Sequence, residues 1–231
     1  MSTFSVIATP IGNLEDITLR ALKVLGSADL ILCEDTRMTK RLLDRHDIHV
    51  KTLSYHAHSK ISRVEEIIAL LKEGKNIALV SDAGTPGISD PGSELVRQIR
   101  EQMVEEINSN TLKIEAIPGP SALTAALSIA GVPCADFTFL GFLPHKKGRE
   151  TLFKEIAAAE RTMVFYESPH RILKTLESLE VHLKDVPKKV VVCRELTKIF
   201  EEVVAGSAEE VKKYFESHPD KVRGEFVVIV A

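Results

Sequence analysis

The sequence predicts a two-domain α/β protein, with a parallel sheet in the N-terminal domain and a mixed sheet in the C-terminal domain. Three observations carry that prediction. Up to Ile117, short and mostly apolar runs such as Ile77–Val80 alternate with helix-patterned segments. That is the pattern of a parallel sheet covered on both faces. A Pro118-Gly119-Pro120 break then interrupts the alternation. Beyond it, strand segments around Val190 and Val203 follow each other with no helix between them, so the second sheet is mixed. The domains are placed at residues 1–117 and 118–231.

Phe4–Thr9 reads as the first strand, followed by a loop and a helix over Ile17–Leu25. Asp16 is the expected N-cap, and Gly26 lies just past the end. Ala28–Cys33 and Lys51–Tyr55 are strands, with a helix over Thr36–His46 between them. Ser62–Lys72 is a helix because Val64, Ile67, Ile68 and Leu71 recur at i, i+3, i+4, i+7, and Ser62 with Glu65 has the capping-box spacing. Ile77–Val80 and Lys113–Ile117 are strands flanking a helix over Glu94–Ile107. Ser121–Ala130 is a short helix. In the second domain, strands are expected at Phe137–Phe142, Thr162–Tyr166, Val190–Val192, Glu202–Ala205 and Phe226–Val230. Helices are expected at Arg149–Ala159, His170–Leu179 and Ser207–Phe215.

With 231 residues, 44% hydrophobic and 27% charged, the chain can bury a sizeable core. A net charge of −3 rules out a protein that is basic overall, so any nucleic-acid contact comes from local patches. Cys33, Cys134 and Cys193 are odd in number and far apart, without Cys-x-x-Cys. Neither a disulfide framework nor a zinc site is signalled, and a reducing cytoplasm is the simplest setting. The N-terminus shows no signal-like segment. The uncharged stretch Ala116–Ala135 has the length of a membrane span, but five Gly and Pro residues leave only Ser121–Ala130 as continuous helix.

The most informative loop is Ser81-Asp82-Ala83-Gly84-Thr85-Pro86-Gly87-Ile88-Ser89-Asp90-Pro91-Gly92. Five of its twelve residues are Gly or Pro, and it holds two Asp and no Lys or Arg. A P-loop needs Lys-Ser/Thr where Ser93-Glu94 stand, so nucleotide triphosphate hydrolysis is disfavoured. The ligand that fits is neutral or cationic. The alternative is a loop that only bridges two elements. The first loop, Ala8–Asn13, holds Gly12 alone of a dinucleotide fingerprint and leads into Glu15 and Asp16, which occupy the anion position themselves. It too can be a plain turn. After the second strand, Glu34, Asp35 and Arg37 are expected to line the ligand crevice that forms at C-terminal strand ends, or else to make a salt-bridged surface turn. Ser121 and Ala122 open a smooth helix of small residues against which a flat ring could lie, or which simply packs closely. The segment Phe139–Arg149 runs an aromatic and apolar stretch into a basic loop, the best candidate here for phosphate backbone; a solvated loop is the bland reading. His170 and Arg171 at a helix start oppose the helix dipole unless an anion lies close.

Taken together, Thr9-Pro-Ile-Gly-Asn-Leu-Glu-Asp-Ile-Thr18, Cys33-Glu-Asp-Thr-Arg37, the whole Ser81–Gly92 string, Pro118-Gly-Pro-Ser-Ala-Leu123, Gly141-Phe-Leu-Pro144 and Phe165-Tyr-Glu-Ser-Pro-His-Arg171 occur in that order. In this they resemble the ribosomal RNA methyltransferases of the tetrapyrrole methylase superfamily, the class III S-adenosylmethionine-dependent methyltransferases. The resemblance spans essentially the whole chain. It implies two α/β domains with the cofactor S-adenosyl-L-methionine in the cleft between them, a homodimer, and a cytoplasmic enzyme. It implies methyl transfer to the 2′-hydroxyl of a cytidine in 16S ribosomal RNA, free or within the small ribosomal subunit. Carried over by position, Pro10, Ile11, Asp82, Gly84, Thr85, Ser121, Ala122 and Tyr166 would touch the cofactor. Glu34, Asp35 and Glu167 are the candidate bases. Arg37, Lys146, Lys147, Arg149 and Arg171 would hold RNA phosphates. The resemblance also implies a small helical extension after the Arg223–Phe226 segment, which would lie beyond Ala231. Rival readings are a corrinoid methyltransferase, a methyltransferase acting on a modified histidine of an elongation factor, or a non-catalytic RNA-binding protein.

Overall fold

The computed structural model describes residues 1–56 and 61–231. The chain divides into two compact units, Met1–Ser121 and Ala122–Ala231.

The first unit is built on five strands: β1 (Ser2–Ile7), β2 (Leu30–Cys33), β3 (Thr52–Ser54), β4 (Ile77–Leu79) and β5 (Leu112–Ile117). They lie in the order β3-β2-β4-β1-β5 and every pairing is parallel. The helices are α1 (Leu19–Ser27), α2 (Thr36–Arg45), α3 (Ile61–Lys72), α4 (Gly92–Gln102) and α5 (Val104–Asn108). The central strands β2 and β4 are apolar throughout because each face meets its own helices, whereas β1, β3 and β5 mix in polar residues. Leu30 and Leu32 point into a core with Ile67, Leu71, Leu95 and Ile99 from α3 and α4. Ile31 and Cys33, on the other face, pack with Ala21, Leu25, Leu42 and Leu43 from α1 and α2. This is the period of two expected of strands, doubled by burial on both sides.

In the second unit, β6 (Phe137–Phe142), β7 (Thr162–Glu167), β8 (Val190–Arg194), β9 (Glu202–Gly206) and β10 (Phe226–Val230) form a sheet in the order β6-β7-β10-β8-β9. Only β6 and β7 are parallel; the other neighbours are antiparallel. Its helices are α6 (Ala122–Ile129), α7 (Arg149–Ala158), α8 (Ile172–Leu183) and α9 (Ala208–Ser217). Phe153, Phe165, Leu176, Val192, Phe215 and Val228 centre the core that α7, α8 and α9 make with one face of the sheet. On the opposite face the Cys193 thiol meets the Ala126 carbonyl of α6 at 3.9 Å.

Four helix expectations are corrected. α1 is capped by the Thr18 hydroxyl, which accepts from Ala21 N–H, while Asp16 closes a short 3-10 turn that Asn13 caps. Gly26 therefore lies inside α1. α3 already includes Ile61, so Ser62 sits within its first turn and not ahead of it. The long helix expected over Glu94–Ile107 breaks at Met103, fully buried with φ −125° and ψ 35°. His170 and Arg171 precede α8, which opens at Ile172 and runs on to Leu183. Among the described residues no helix is long and apolar enough to cross a membrane. The stretch Ala116–Ala135 is divided between β5, a turn and α6.

Candidate functional site

All five strands of the first unit point the same way, so their C-terminal ends gather four of the sequence-derived loops on one edge. The loops are stapled to one another by backbone and hydroxyl groups. Thr9, after β1, exchanges both backbone hydrogen bonds with Gly84, at 2.9 and 3.0 Å. Its hydroxyl donates to the Ser81 carbonyl at 3.1 Å. The Thr85 hydroxyl donates to the Pro120 carbonyl after β5. Asp82 accepts from the Asp35 N–H after β2, at 2.9 Å. Within the Ser81–Gly92 loop, the Asp90 carboxylate accepts from both Gly87 N–H and Gly92 N–H at 2.7 Å. Gly84 and Gly87 hold φ of +79° and +88°, which side chains rarely adopt. A Cβ on Gly119 would stand 3.1 Å from the Ala8 Cβ, so a side chain there would have to push Ala8 aside by a few tenths of an ångström.

The Gly84 and Gly87 amides are engaged by Thr9 and Asp90. Asp82 and Ala83 are exposed at this edge, as are Ile88 and Ser89 farther along the loop, whereas Pro10 and Ile11 are buried within the first loop and Thr85 is half-buried.

The two carboxylates after β2 differ. Asp35 caps α2 by accepting from Arg37 N–H and also grips the Arg37 guanidinium at 2.6 Å. Those hydrogen bonds hold its pKa down to about 2, so it is a poor proton acceptor. Glu34 is pushed the other way, first by burial and then by the charges of Asp82 and Asp90. It is the candidate base whose proton affinity rises.

In the second unit, Lys146 and Lys147 are exposed on the loop after β6. Tyr166, on β7, packs edge-on against Phe139 and Phe142 at centroid distances of 4.9 and 5.5 Å. Ser121 and Ala122, half-buried, stand at the junction of the two units, with α6 beginning at Ala122. Three expectations fail here. Glu167 is 1% exposed, and one of its oxygens takes Arg171 Nε at 2.7 Å and Ser168 N–H at 2.8 Å while the other takes the Thr175 hydroxyl at 2.6 Å. Buried and already engaged by these donors, its carboxylate is shut away from a substrate proton. Arg149 donates to the Thr175 hydroxyl and the Pro144 carbonyl, and Arg171 to Glu167 and the Leu143 carbonyl. Both guanidiniums are held inward, so neither is placed to grip RNA. Thr175, the hydroxyl at the middle of this cluster, was not anticipated; a Thr inside a helix pattern carries no sequence signal of such a role.

The chain matches the tetrapyrrole (corrin/porphyrin) methylases over residues 3–212. It is 43% identical to the ribosomal RNA small subunit methyltransferase I of Thermotoga maritima over 231 residues, which cover 100% of this chain and 99% of that relative. To the protein of the same name from Escherichia coli O157:H7 it is 44% identical over 226 residues, 97% of this chain and 76% of that one. This chain is a member of the tetrapyrrole methylase family. Among solved structures, the methyltransferase CobJ superposes with a TM-score of 0.69 at 19% identity, covering 100% of this chain and 94% of that one. The uroporphyrin-III-C-methyltransferase of Thermus thermophilus gives 0.64 at 19%, covering 98% and 93%. At that identity the likeness carries the fold alone, and it matches the parallel and mixed sheets described above.

Family membership makes the chain a methyltransferase that uses S-adenosylmethionine. The residues present fit that cofactor's charge. No Lys or Arg stands in Ser81–Gly92, and after burial it is the charges of Asp82 and Asp90 at this edge that raise Glu34. A cation placed there is stabilised, whereas a pyrophosphate would be repelled.

Proposed function

We propose that the chain methylates 16S ribosomal RNA at the 2′-hydroxyl of a cytidine, acting as a cytoplasmic homodimer. The observation that carries this reading is the 43% identity, end to end, to a relative named ribosomal RNA small subunit methyltransferase I. The residues of the acidic edge support it, because the reaction needs a site for a cation beside a base.

When bound, S-adenosylmethionine supplies a methyl group activated on a sulfonium. Pro10, Ile11, Asp82, Gly84, Thr85, Ser121, Ala122 and Tyr166 are the residues assigned to hold it. A ribose hydroxyl held beside that methyl would give up its proton to the Glu34 carboxylate. A positioned base of this kind contributes about 10²–10⁴-fold. Asp35 serves better as the N-cap and the partner of Arg37. The remaining cations, Arg37, Lys146 and Lys147, contact RNA phosphates.

The test is incubation with tritiated S-adenosylmethionine and, in separate arms, free 16S RNA, 30S subunits and a corrinoid, followed by mass spectrometry of RNA nucleosides. Label appearing as 2′-O-methylcytidine in either RNA arm is the expected result, and the two arms separate free RNA from the assembled particle. Label confined to the corrinoid, or RNA binding without methyl transfer in either arm, overturns the reading.

A further inference from the structure

The loop Leu143–Gly148 joins β6 to α7 and turns through Gly148 at φ +83°. Its side chains His145, Lys146 and Lys147 are exposed, and it follows directly on Phe142, also exposed. Cations next to an exposed aromatic ring suit the phosphates and bases of single-stranded nucleic acid.

Both ends of this loop are tied to one buried carboxylate. At the start, Arg171 Nη1 donates to the Leu143 carbonyl at 2.8 Å and Arg149 Nη1 to the Pro144 carbonyl at 3.3 Å. At the end stands Arg149 itself, whose N–H donates to the Lys146 carbonyl. The two guanidiniums converge on Glu167, Arg171 at 2.7 Å and Arg149 at 3.9 Å. Thr175 completes the set: its oxygen accepts from Arg149 Nη2 at 2.6 Å and its proton goes to Glu167 at 2.6 Å. Two positive groups face one negative group, so the cluster keeps a surplus positive charge beneath the loop. Burial, and then the neighbouring Arg171, lower the Arg149 guanidinium against the pull of Glu167. An anion lying over the loop relieves that surplus.

Burying three charges is costly, and apolar residues of similar volume would hold β7 and α8 together at least as well. The cluster does something apolar packing would not, which is to bind two successive loop carbonyls in fixed directions. We propose that Glu167, Thr175, Arg149 and Arg171 form a latch that holds the His145–Lys147 loop in a preformed shape for binding the phosphodiester backbone of the RNA substrate. Arg149 and Arg171 are positioning residues in it, and Lys146 and Lys147 are the contacting cations. The proposal rests on the ribosomal RNA reading above.

The experiment measures binding of a labelled 16S RNA fragment by fluorescence anisotropy across a salt series. It uses the full chain and the variants Thr175→Val, Thr175→Ser and Lys146→Ala/Lys147→Ala. Melting temperature, S-adenosylmethionine affinity and methyl transfer are recorded on the same samples. Thr175→Val leaves every charge in place but loosens the loop, so RNA binding weakens about tenfold through lost preorganisation while the log–log salt slope stays unchanged. KM for RNA rises with kcat and S-adenosylmethionine affinity nearly constant, and Thr175→Ser, which keeps the hydroxyl, restores binding. The lysine pair lowers the salt slope by about 1.4, at roughly 0.7 for each contact to a single strand. A Thr175→Val protein that melts lower yet binds RNA like wild type overturns the latch. So does a lysine pair with the wild-type slope, a variant on an exposed loop that folds even if Thr175→Val does not. Methyl transfer with neither effect leaves the RNA reading standing and sinks the latch. RNA binding with both effects but no methyl transfer does the reverse.

Discussion

At the scale of single residues, the two neighbours Glu34 and Asp35 show how environment divides like groups. Asp35 is ionised down to about pH 2 because Arg37 and the α2 N-terminus hold its charge. Glu34 holds its proton more tightly than a free glutamate because burial and two nearby carboxylates penalise the charge. Its folded pKa lies above its unfolded one. Stability is therefore unaffected below the unfolded value and falls as pH rises from there through the folded value, since the unfolded chain releases the proton first. Glu34→Gln removes that loss, so at neutral pH it melts no lower than wild type. As the base, though, it loses about 10²–10⁴-fold in kcat, together with the acid limb of the pH–rate profile. Asp35→Asn keeps a capping side chain and the limb. Retention of full activity by Glu34→Gln, measured as kcat from pH 4 to 8 beside thermal melts, would falsify the assignment. The sequence offered Glu34, Asp35 and Glu167 as equals because each follows a strand. Only burial and partners separate them, and those partners, Asp82 and Asp90 for Glu34 and Thr175 for Glu167, are distant in sequence.

At the scale of elements, the Ser81–Gly92 loop keeps its shape through Asp90. The acceptance of two amides by one carboxylate oxygen fixes the turn that leads into α4. Asp90→Ala frees both amides and should lower unfolding stability by about 1.5–3 kcal/mol, the range for hydrogen bonds to a charged group. Asp90→Asn retains an acceptor oxygen and should lose less. Gly92→Ala should cost about 1–3 kcal/mol through overpacking, because its Cβ would stand 2.8 Å from an Asp90 oxygen that cannot move without releasing the two amides. Urea denaturation of the three variants gives the order; an Asp90→Ala protein as stable as wild type would show that the backbone holds the loop unaided. The composition of this loop marked it as irregular, but which aspartate closes it and which faces outward depended on geometry. Strands such as β2, β4 and β10 were legible because both sheet faces demand apolar residues there, whereas helix ends were less so. Asp16 and Thr18 are both good caps, and the choice fell to Thr18 because Asn13 draws Asp16 into a 3-10 turn. Met103 favours helix intrinsically, so nothing local announced the break that its burial accompanies.

For the whole molecule, the two-unit α/β plan was legible because patterning and the Pro118–Pro120 break act over long stretches. The ties that make the site were not, since Asp35 to Asp82 spans 47 residues and Arg149 to Thr175 spans 26. Those long-range ties also set how the molecule responds to its cofactor. The edge loops of the first unit are held mainly by hydrogen bonds across β1, β2, β4 and β5, so a ligand seated on them strengthens the unit and not one loop alone. S-adenosylmethionine at a hundred times its Kd adds about 2.7 kcal/mol to the folded state, which for this size raises the melting temperature by about 5–11 °C. Hydrogen exchange should slow at the Thr9, Asp35 and Gly84 amides, the links between loops. Asp82→Ala removes both an exposed carboxylate and the bond to Asp35 N–H, so it should shrink the ligand-induced rise while the ligand-free melt shifts little. An undiminished rise in that variant places the cofactor away from the β2–β4 edge. A wild-type melt indifferent to S-adenosylmethionine at that excess removes the site assignment altogether.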